Sequence, residues 1–415
     1  MNVPLNCLCT LGIIASFATI HPAKADAVKI ASAGLSRNIV SVADLDHQSP
    51  ARQFLVAGSH QYRSLWAWDF SFASMGALKI GKTQAVHDSL EIYFSFQRAD
   101  GALPRVIDNR NLTLRVILGL IGLPPKFKNP LKASFETENH VMSQIPNAIL
   151  PWAASRYVSY TQDRVFAKKW FDGAEKAVAW LEATSLDDCL IGKQAPYSDW
   201  EDSVQRTGRV AFTNELYALA LRGLSEWAGF LGDHEKEVSY LLKYTAFMGK
   251  FRAFFWMPER NAIRNFEGDD HLTADANLMA VAYQLVNAED SKAILKTLRA
   301  SPLWQPMPGR PTWPNYPNSM KSTLPKLSGL AGYHDQIYWL WLTSLAVIAE
   351  KNVGNLEGSQ QILKKLSAQI DSDGIVYEVY DLKKGRYLRR VRRILYKAER
   401  PFTWSSGLFL ESALP

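Results

Sequence analysis

The sequence predicts an all-α fold in which paired helices close into a single toroid. Amphipathic periodicity near 3.6 residues recurs from residue 70 to the C-terminus. The intervening loops are rich in Gly, Pro and Asn, as at 100–104, 123–126 and 302–325, and strand signals are short and scattered. No Pro/Gly/Ser linker divides the 415 residues, and a composition of 47% hydrophobic and 21% charged residues is ordinarily globular. A helical-repeat scaffold is the rival architecture, but no fixed repeat period occurs.

Taken in order, residues 1–25 read as a secretory signal peptide. Leu5 to Ile20 is almost wholly apolar or small, and Ala23-Lys24-Ala25 forms an Ala-x-Ala cleavage site before Asp26. The segment before Leu5 carries no Lys or Arg, so the α-amino group is its one positive charge. Pro22 and the short apolar run argue against a membrane span. The expected location is periplasmic or secreted, with no stable membrane insertion after signal removal. Residues 26–55 read as an N-terminal arm and 56–415 as one catalytic domain. Helical patterns run through 70–80, 85–97, 145–159, 163–182, 212–231 and 235–255. They resume at 275–286, 288–299, 333–350, 354–369 and 402–413.

The formal net charge is +7, with much of the excess in the run 383–393, KKGRYLRRVRR. Such a run is commonly a solvated face; beside a cleft it would suit an anionic ligand. No recognition helix or RNA-binding signature accompanies it, so nucleic acid is not an expected partner. Cys7 and Cys9 fall in the signal segment, leaving Cys189 without a disulfide partner in a processed chain. Cys189 reads as a small hydrophobe near a helix end. No Cys/His cluster has zinc spacing and no Gly-rich phosphate loop occurs, so no metal or cofactor is expected.

The densest polar cluster is PYSDWEDS, 196–203, where Asp199, Glu201 and Asp202 crowd round Trp200. Mutual repulsion and partial burial raise a carboxyl pKa, which keeps an acid protonated near neutral pH. Glu378, in VYEVYD, is a second carboxylate set among aromatics. Two such groups far apart in sequence fit general acid and general base at a glycosidic bond. Helix caps and surface charges are the bland alternative. Aromatics reach 12%, with 13 Trp, many beside polar residues, a pattern of sugar clefts and of large cores alike. Trp66 and Trp68 fit either, whereas Asp69, between Trp68 and Phe70, needs a partner if buried. Further clusters are QRADGALPR at 97–105 and FTWSS at 402–406.

In order and context these motifs resemble the (α/α)6-barrel glycoside hydrolases, most closely family 63 and its mannosylglycerate-hydrolase-like relatives. Similarity to glucoamylases, to the glucosidase domain of glycogen debranching enzymes and to family 37 trehalases is looser. The resemblance covers residues 55–415 and is patchy between motifs. Trp66-Ala67-Trp68-Asp69 matches an early Trp-x-Trp-Asp element whose aspartate grips a sugar hydroxyl in the −1 subsite. Gln97 to Pro104 matches a Gln…Asp-Gly…Pro turn. Ser143-Gln144-Ile145-Pro146 is similar to a Ser/Thr-Gln-Pro-Pro helix start, with Ile for the first Pro. Asn214 falls where relatives place a polar residue opening a helix, and Ala274 to Leu278 resembles an Asp-Ala-Asn-Leu start.

The resemblance implies a general acid at Asp202 in the debranching register, or at Glu201 in the glucoamylase register, with Asp202 favoured. Tyr377-Glu378-Val379-Tyr380…Gly385, then Phe402 to Ser405, resembles the family 63 pattern that carries the general base, here Glu378, with Glu399 as competitor. The basic insertion at 383–397 has no counterpart in that pattern. The implied reaction is inverting hydrolysis of an α-linked glucoside or mannoside without a cofactor, with carboxyls about 6.5–9.5 Å apart. Asp199 and Glu201 would keep Asp202 protonated, and Glu378 would activate water. Trp66, Trp68, Asp69, Gln97, Arg105, Asn277, His334 and Trp404 are the expected substrate-binding residues, and carbohydrate the expected partner. The rivals are a non-catalytic carbohydrate-binding or envelope protein on a degenerate barrel, a polyanion-binding scaffold working through 383–393, and a polysaccharide lyase using Tyr333 and His334.

Overall fold

A computed structural model describes residues 22–42, 51–124, 126–137, 140–383, 387–390, 392–393 and 396–415. Its helices in chain order are α1 (Pro22–Arg37), α2 (Ala67–Lys79), α3 (Thr83–Ser95), α4 (Leu112–Leu120), α5 (Ile145–Thr161), α6 (Arg164–Ser185) and α7 (Ala211–Leu231). They continue with α8 (His234–Phe255), α9 (Ala274–Ala282), α10 (Ala288–Arg299), α11 (Thr323–Leu327), α12 (Leu340–Asn352), α13 (Leu356–Asp373) and α14 (Thr403–Ala413). Helices α2, α5, α7, α9, α12 and α14 each pack on the next, and α14 returns to α2, closing an inner ring. Helices α1, α3, α6, α8, α10 and α13 lie outside it. The architecture is the expected (α/α)6 toroid.

The apolar pattern of each helix follows its ring. Every residue of α9 is buried, as are eleven consecutive residues, Ala211 to Leu221, of α7, so these helices are covered all round. Outer helix α13 instead buries a stripe, Ser359, Ile362, Leu363, Leu366, Ser367 and Ile370, at the spacing of one helix face. At the closure, α2 and α14 touch through glycine. A Cβ on Gly76 would stand 2.0 Å from the Gly407 carbonyl oxygen, and one on Gly407 2.3 Å from Ala73 Cα. No side chain fits at either position. Within the ring, Phe72 stacks on Trp404 at 5.0 Å and Trp341 on Trp404 at 4.4 Å.

The segment expected as an N-terminal arm belongs instead to the barrel wall. Ala27, Ala31 and Leu35 are fully buried at i, i+4 and i+8, and α1 packs on α13 and α14 as the sixth outer helix. Asn38 just beyond it donates to the Pro401 carbonyl and to Thr403 Oγ1, both at 2.9 Å, tying it to the start of α14. The apolar stretch of the expected signal peptide lies outside the described residues. One boundary and one helix differ from expectation. The expected helix 333–350 begins only at Leu340, after a turn and a short strand (Tyr338–Trp339). Helix α4, LTLRVILGL, lies outside the helical patterns read from the sequence.

Short strands join helices at one end of the ring, where the inner helices begin. Leu65–Trp66 pairs with Val106–Asp108, and Val379–Lys383 pairs with both Tyr338–Trp339 and Tyr387–Arg390. Residues Tyr387–Arg390 of the basic run therefore pair with the strand that starts one residue after Glu378, while 384–386, 391 and the side chains of the run lie outside the described residues. Cys189 is exposed in a turn between the paired strands Leu186–Asp187 and Leu190–Ile191, not a helix-end hydrophobe.

Candidate active site

A pocket of about 480 Å³ opens at that end of the barrel. Tyr62, Trp66, Trp68, Asp69, Trp200, Asp202, Tyr333, Trp339, Glu378, Phe402 and Trp404 line it. Extended residues lead directly into helices here without side-chain caps: strand residues Trp66 into α2 and Trp339 into α12, and Phe402, bridged to Gly58, into α14. Residues straddling each junction thus face the axis, which is why Trp66, Trp68, Asp69 and Trp404 meet from opposite ends of the sequence.

Glu378 is buried at the pocket wall and held from three directions. The Tyr396 hydroxyl donates to Oε2 at 2.6 Å, the Glu399 N–H donates to the same oxygen at 3.1 Å, and the Tyr333 hydroxyl donates to Oε1. Burial pushes its pKa up to about 7, while hydrogen bonds from Tyr333 and Tyr396 limit the rise. Asp69 is raised well above its usual range, chiefly by burial and then by the charge of Glu378. Asp202 is exposed on the same pocket.

Glu201 points elsewhere. It is fully buried, accepts from Tyr316 Oη at 2.9 Å and pairs with Arg206 Nη1 at 3.1 Å. Arg206 also pairs with Asp199 at 3.1 Å and Asp275 at 2.8 Å, and Trp200 Nε1 donates to Asp275 at 2.7 Å. The expectation that Asp199 and Glu201 protonate Asp202 by repulsion is therefore corrected, because Arg206 takes up those two acids behind Trp200. Burial pushes Glu201 well above its usual range, against the opposing pull of Arg206. Nearby Glu215 is buried with neither oxygen hydrogen-bonded among the described residues.

Glu399 likewise faces away. It accepts from the N–H groups of His60 at 3.0 Å, Tyr62 at 2.9 Å and Arg400 at 2.9 Å, fastening the segment that presents Tyr62 to the one that precedes α14.

Four of the expected substrate-binding residues do not reach the pocket. Gln97 donates to the carbonyls of Gly101 at 3.0 Å and Gly173 at 2.8 Å, pinning a turn to α6. Asn277 accepts from the Ile263 N–H at 2.8 Å and donates to the carbonyls of Ile263 and Thr273, a clamp on the loop entering α9. Asn214 makes the equivalent clamp at α7, and Asn147 at α5 accepts from the Leu103 N–H and donates to the carbonyls of Gly101 and Ala177. Arg105 is buried behind the wall, its guanidinium 4.7 Å from the ring centre of Trp66 and 5.2 Å from that of Trp68. His334 lies behind Trp200 and Trp339, stacked on Trp339 at 5.5 Å, with Nδ1 2.7 Å from Ser203 Oγ. Burial pushes its pKa well below the usual range.

Sequence reasoning missed Trp339 and Tyr396 and left Tyr333 as part of a rival reading. Trp339 sat inside an expected helix, and Tyr396 lies beyond the basic run. Among the described residues no three His, Cys, Asp or Glu side chains are grouped to hold a metal ion.

No family model and no curated protein matches the chain. Solved structures do. A rhamnosidase from Klebsiella oxytoca with rhamnose bound superposes with a TM-score of 0.66 at 12% identity, over 95% of this chain and 64% of that one. This chain thus spans less than two thirds of the rhamnosidase. A glycosidase variant in complex with glucose gives 0.64 at 15% identity, covering 94% and 96% of the two chains. The family 63 mannosylglycerate hydrolase from Thermus thermophilus, also with glucose, gives 0.63 at 14% identity over 94% and 99%. The chain has the six-hairpin fold of these glycosidases.

Proposed function

We propose that the protein is an exported glycosidase that hydrolyses an α-linked glucoside or mannoside with inversion, Asp202 acting as general acid and Glu378 as general base. The observation that carries this reading is the placement of Asp202, Glu378 and Asp69 on one tryptophan-lined pocket. In the reaction, protonated Asp202 gives its proton to the departing oxygen as the bond from the anomeric carbon breaks. Ionised Glu378 takes a proton from water as that water attacks the same carbon. Trp66, Trp68 and Trp404 offer apolar faces to a sugar ring, and Asp69 accepts from its hydroxyls. The described lining holds three carboxyls and no Lys, Arg or His, which favours a neutral ring over a uronic acid and weighs against a lyase. Rhamnose and glucose in the similar structures support a monosaccharide-sized subsite. Export rests on the apolar segment before Ala25.

The test is a panel of aryl glycosides and disaccharides, assayed with the parent chain and with Asp202→Asn and Glu378→Gln. Turnover of one α-glycoside by the parent, lost in both variants, is the expected result. Turnover that survives either change removes that residue from its role. Oligosaccharide binding without turnover across the panel would transfer the protein to the non-catalytic reading.

A further inference from the structure

Helix α4 carries an apolar face that nothing in the chain covers among the described residues. Leu114, Ile117 and Ile121 follow one another at helical spacing and are 45%, 52% and 63% exposed, with Leu123 beyond them at 65%. Isolated exposed apolar residues are ordinary, but a contiguous row is not. Its surroundings are cationic. From residue 109 to residue 134 the sequence contains no Asp or Glu, while Arg110, Lys126, Lys128 and Lys132 are exposed.

The fold gathers these cations at the helix. Asn109 donates to the Lys128 carbonyl at 2.7 Å, and Lys132 is paired in register with Asp108, so the segment after α4 returns beside its N-terminal end. Asp108, the nearest acid, is neutralised by buried Arg115. A second exposed row, Val238, Leu241 and Leu242 on α8, lies among Glu235 and Glu237 and lacks this charge pattern.

We infer that α4 docks the protein on an anionic lipid surface, its apolar row entering the interface while the lysines meet lipid headgroups. No helix among the described residues is long and apolar enough to cross a membrane, and this mode needs none. The docked orientation brings the pocket close to the surface. α4 is seated directly on the 60–61 segment, since a Cβ on Gly119 would lie 2.4 Å from the His60 carbonyl oxygen. The next residue is Tyr62, which lines the pocket.

The experiment is vesicle co-sedimentation of the purified chain. The probes are phosphatidylcholine vesicles and phosphatidylcholine vesicles with about one third phosphatidylglycerol. Binding is expected to the anionic vesicles alone and should weaken as salt rises. The Leu114→Ser/Ile117→Ser/Ile121→Ser variant should lose about tenfold or more in affinity. Lys126→Gln/Lys128→Gln/Lys132→Gln, a purely surface change, should also weaken binding, with turnover of a soluble glycoside unchanged. Three results would overturn the inference: no binding by the parent, binding undiminished in the lysine or serine variant, or a parent dimer that the serine variant dissolves. The last would make a second copy of the chain the occupant.

Discussion

The Tyr396 hydroxyl donates to Oε2 of Glu378 at 2.6 Å, a bond made from a residue that follows the basic run in sequence. Hydrogen bonding to the ionised form favours it, so Tyr396 works against the burial that raises Glu378 to about 7. In the proposed role of general base Glu378 has to be ionised, so kcat/KM should fall below about pH 7. Tyr396→Phe removes one donor and should move this acid limb to higher pH. A limb that stays in place or moves down would show that another group governs it.

The same burial makes Glu378 a pH-dependent liability for folding. Its folded pKa of about 7 lies above the ordinary 4.5, so the native state holds the proton more tightly than the unfolded chain. Its stabilising contribution is complete below about pH 4.5 and is lost as pH rises through about 7. Glu378→Gln resembles the protonated form. Chemical denaturation should find the variant close to the parent at about pH 5 and more stable by about 1–3 kcal/mol above pH 8.

Arg206 neutralises a cluster that has no access to solvent. It meets Asp199, Glu201 and Asp275, all buried. Arg206→Met leaves three buried acids without their cation and should cost about 3–5 kcal/mol, or prevent folding. Glu201→Gln keeps the shape and much of the hydrogen bonding, so turnover by that variant should stay within about tenfold of the parent. A complete loss at Glu201 with a folded protein would restore it as the acid.

Asn277 separates structure from binding. Removing its clamp should cost about 1–3 kcal/mol, read as a lower melting temperature for Asn277→Ala, with KM unchanged. Asp69→Asn should do the reverse, lowering kcat/KM by about a hundredfold or more while the melting temperature holds or rises.

The toroid was legible because outer helices such as α13 bury one stripe while inner ones such as α7 are largely apolar. What misled was local chemistry shared by clamps and ligands. Asn277 and Gln97 sit in motifs close to the pocket in sequence, yet amide side chains satisfy orphan backbone groups as readily as sugar hydroxyls. The acidic box stands out in the sequence, but adjacency does not fix direction: Asp202 faces the pocket while Asp199 and Glu201 turn to Arg206, seven and five residues on. The pairing of Arg206 with Asp275, the hold of Tyr333 on Glu378, and the place of α1 in the outer ring are all contacts across long stretches of chain. Periodicity carries no trace of them.

The most direct test of the central claim follows the first-formed product by proton NMR as the parent chain hydrolyses the α-glycoside it accepts. Release of the β-anomer ahead of mutarotation is the result predicted for Asp202 and Glu378 acting through an intervening water. Initial release of the α-anomer would mean a covalent glycosyl intermediate and would contradict the assignment of Glu378 as a base.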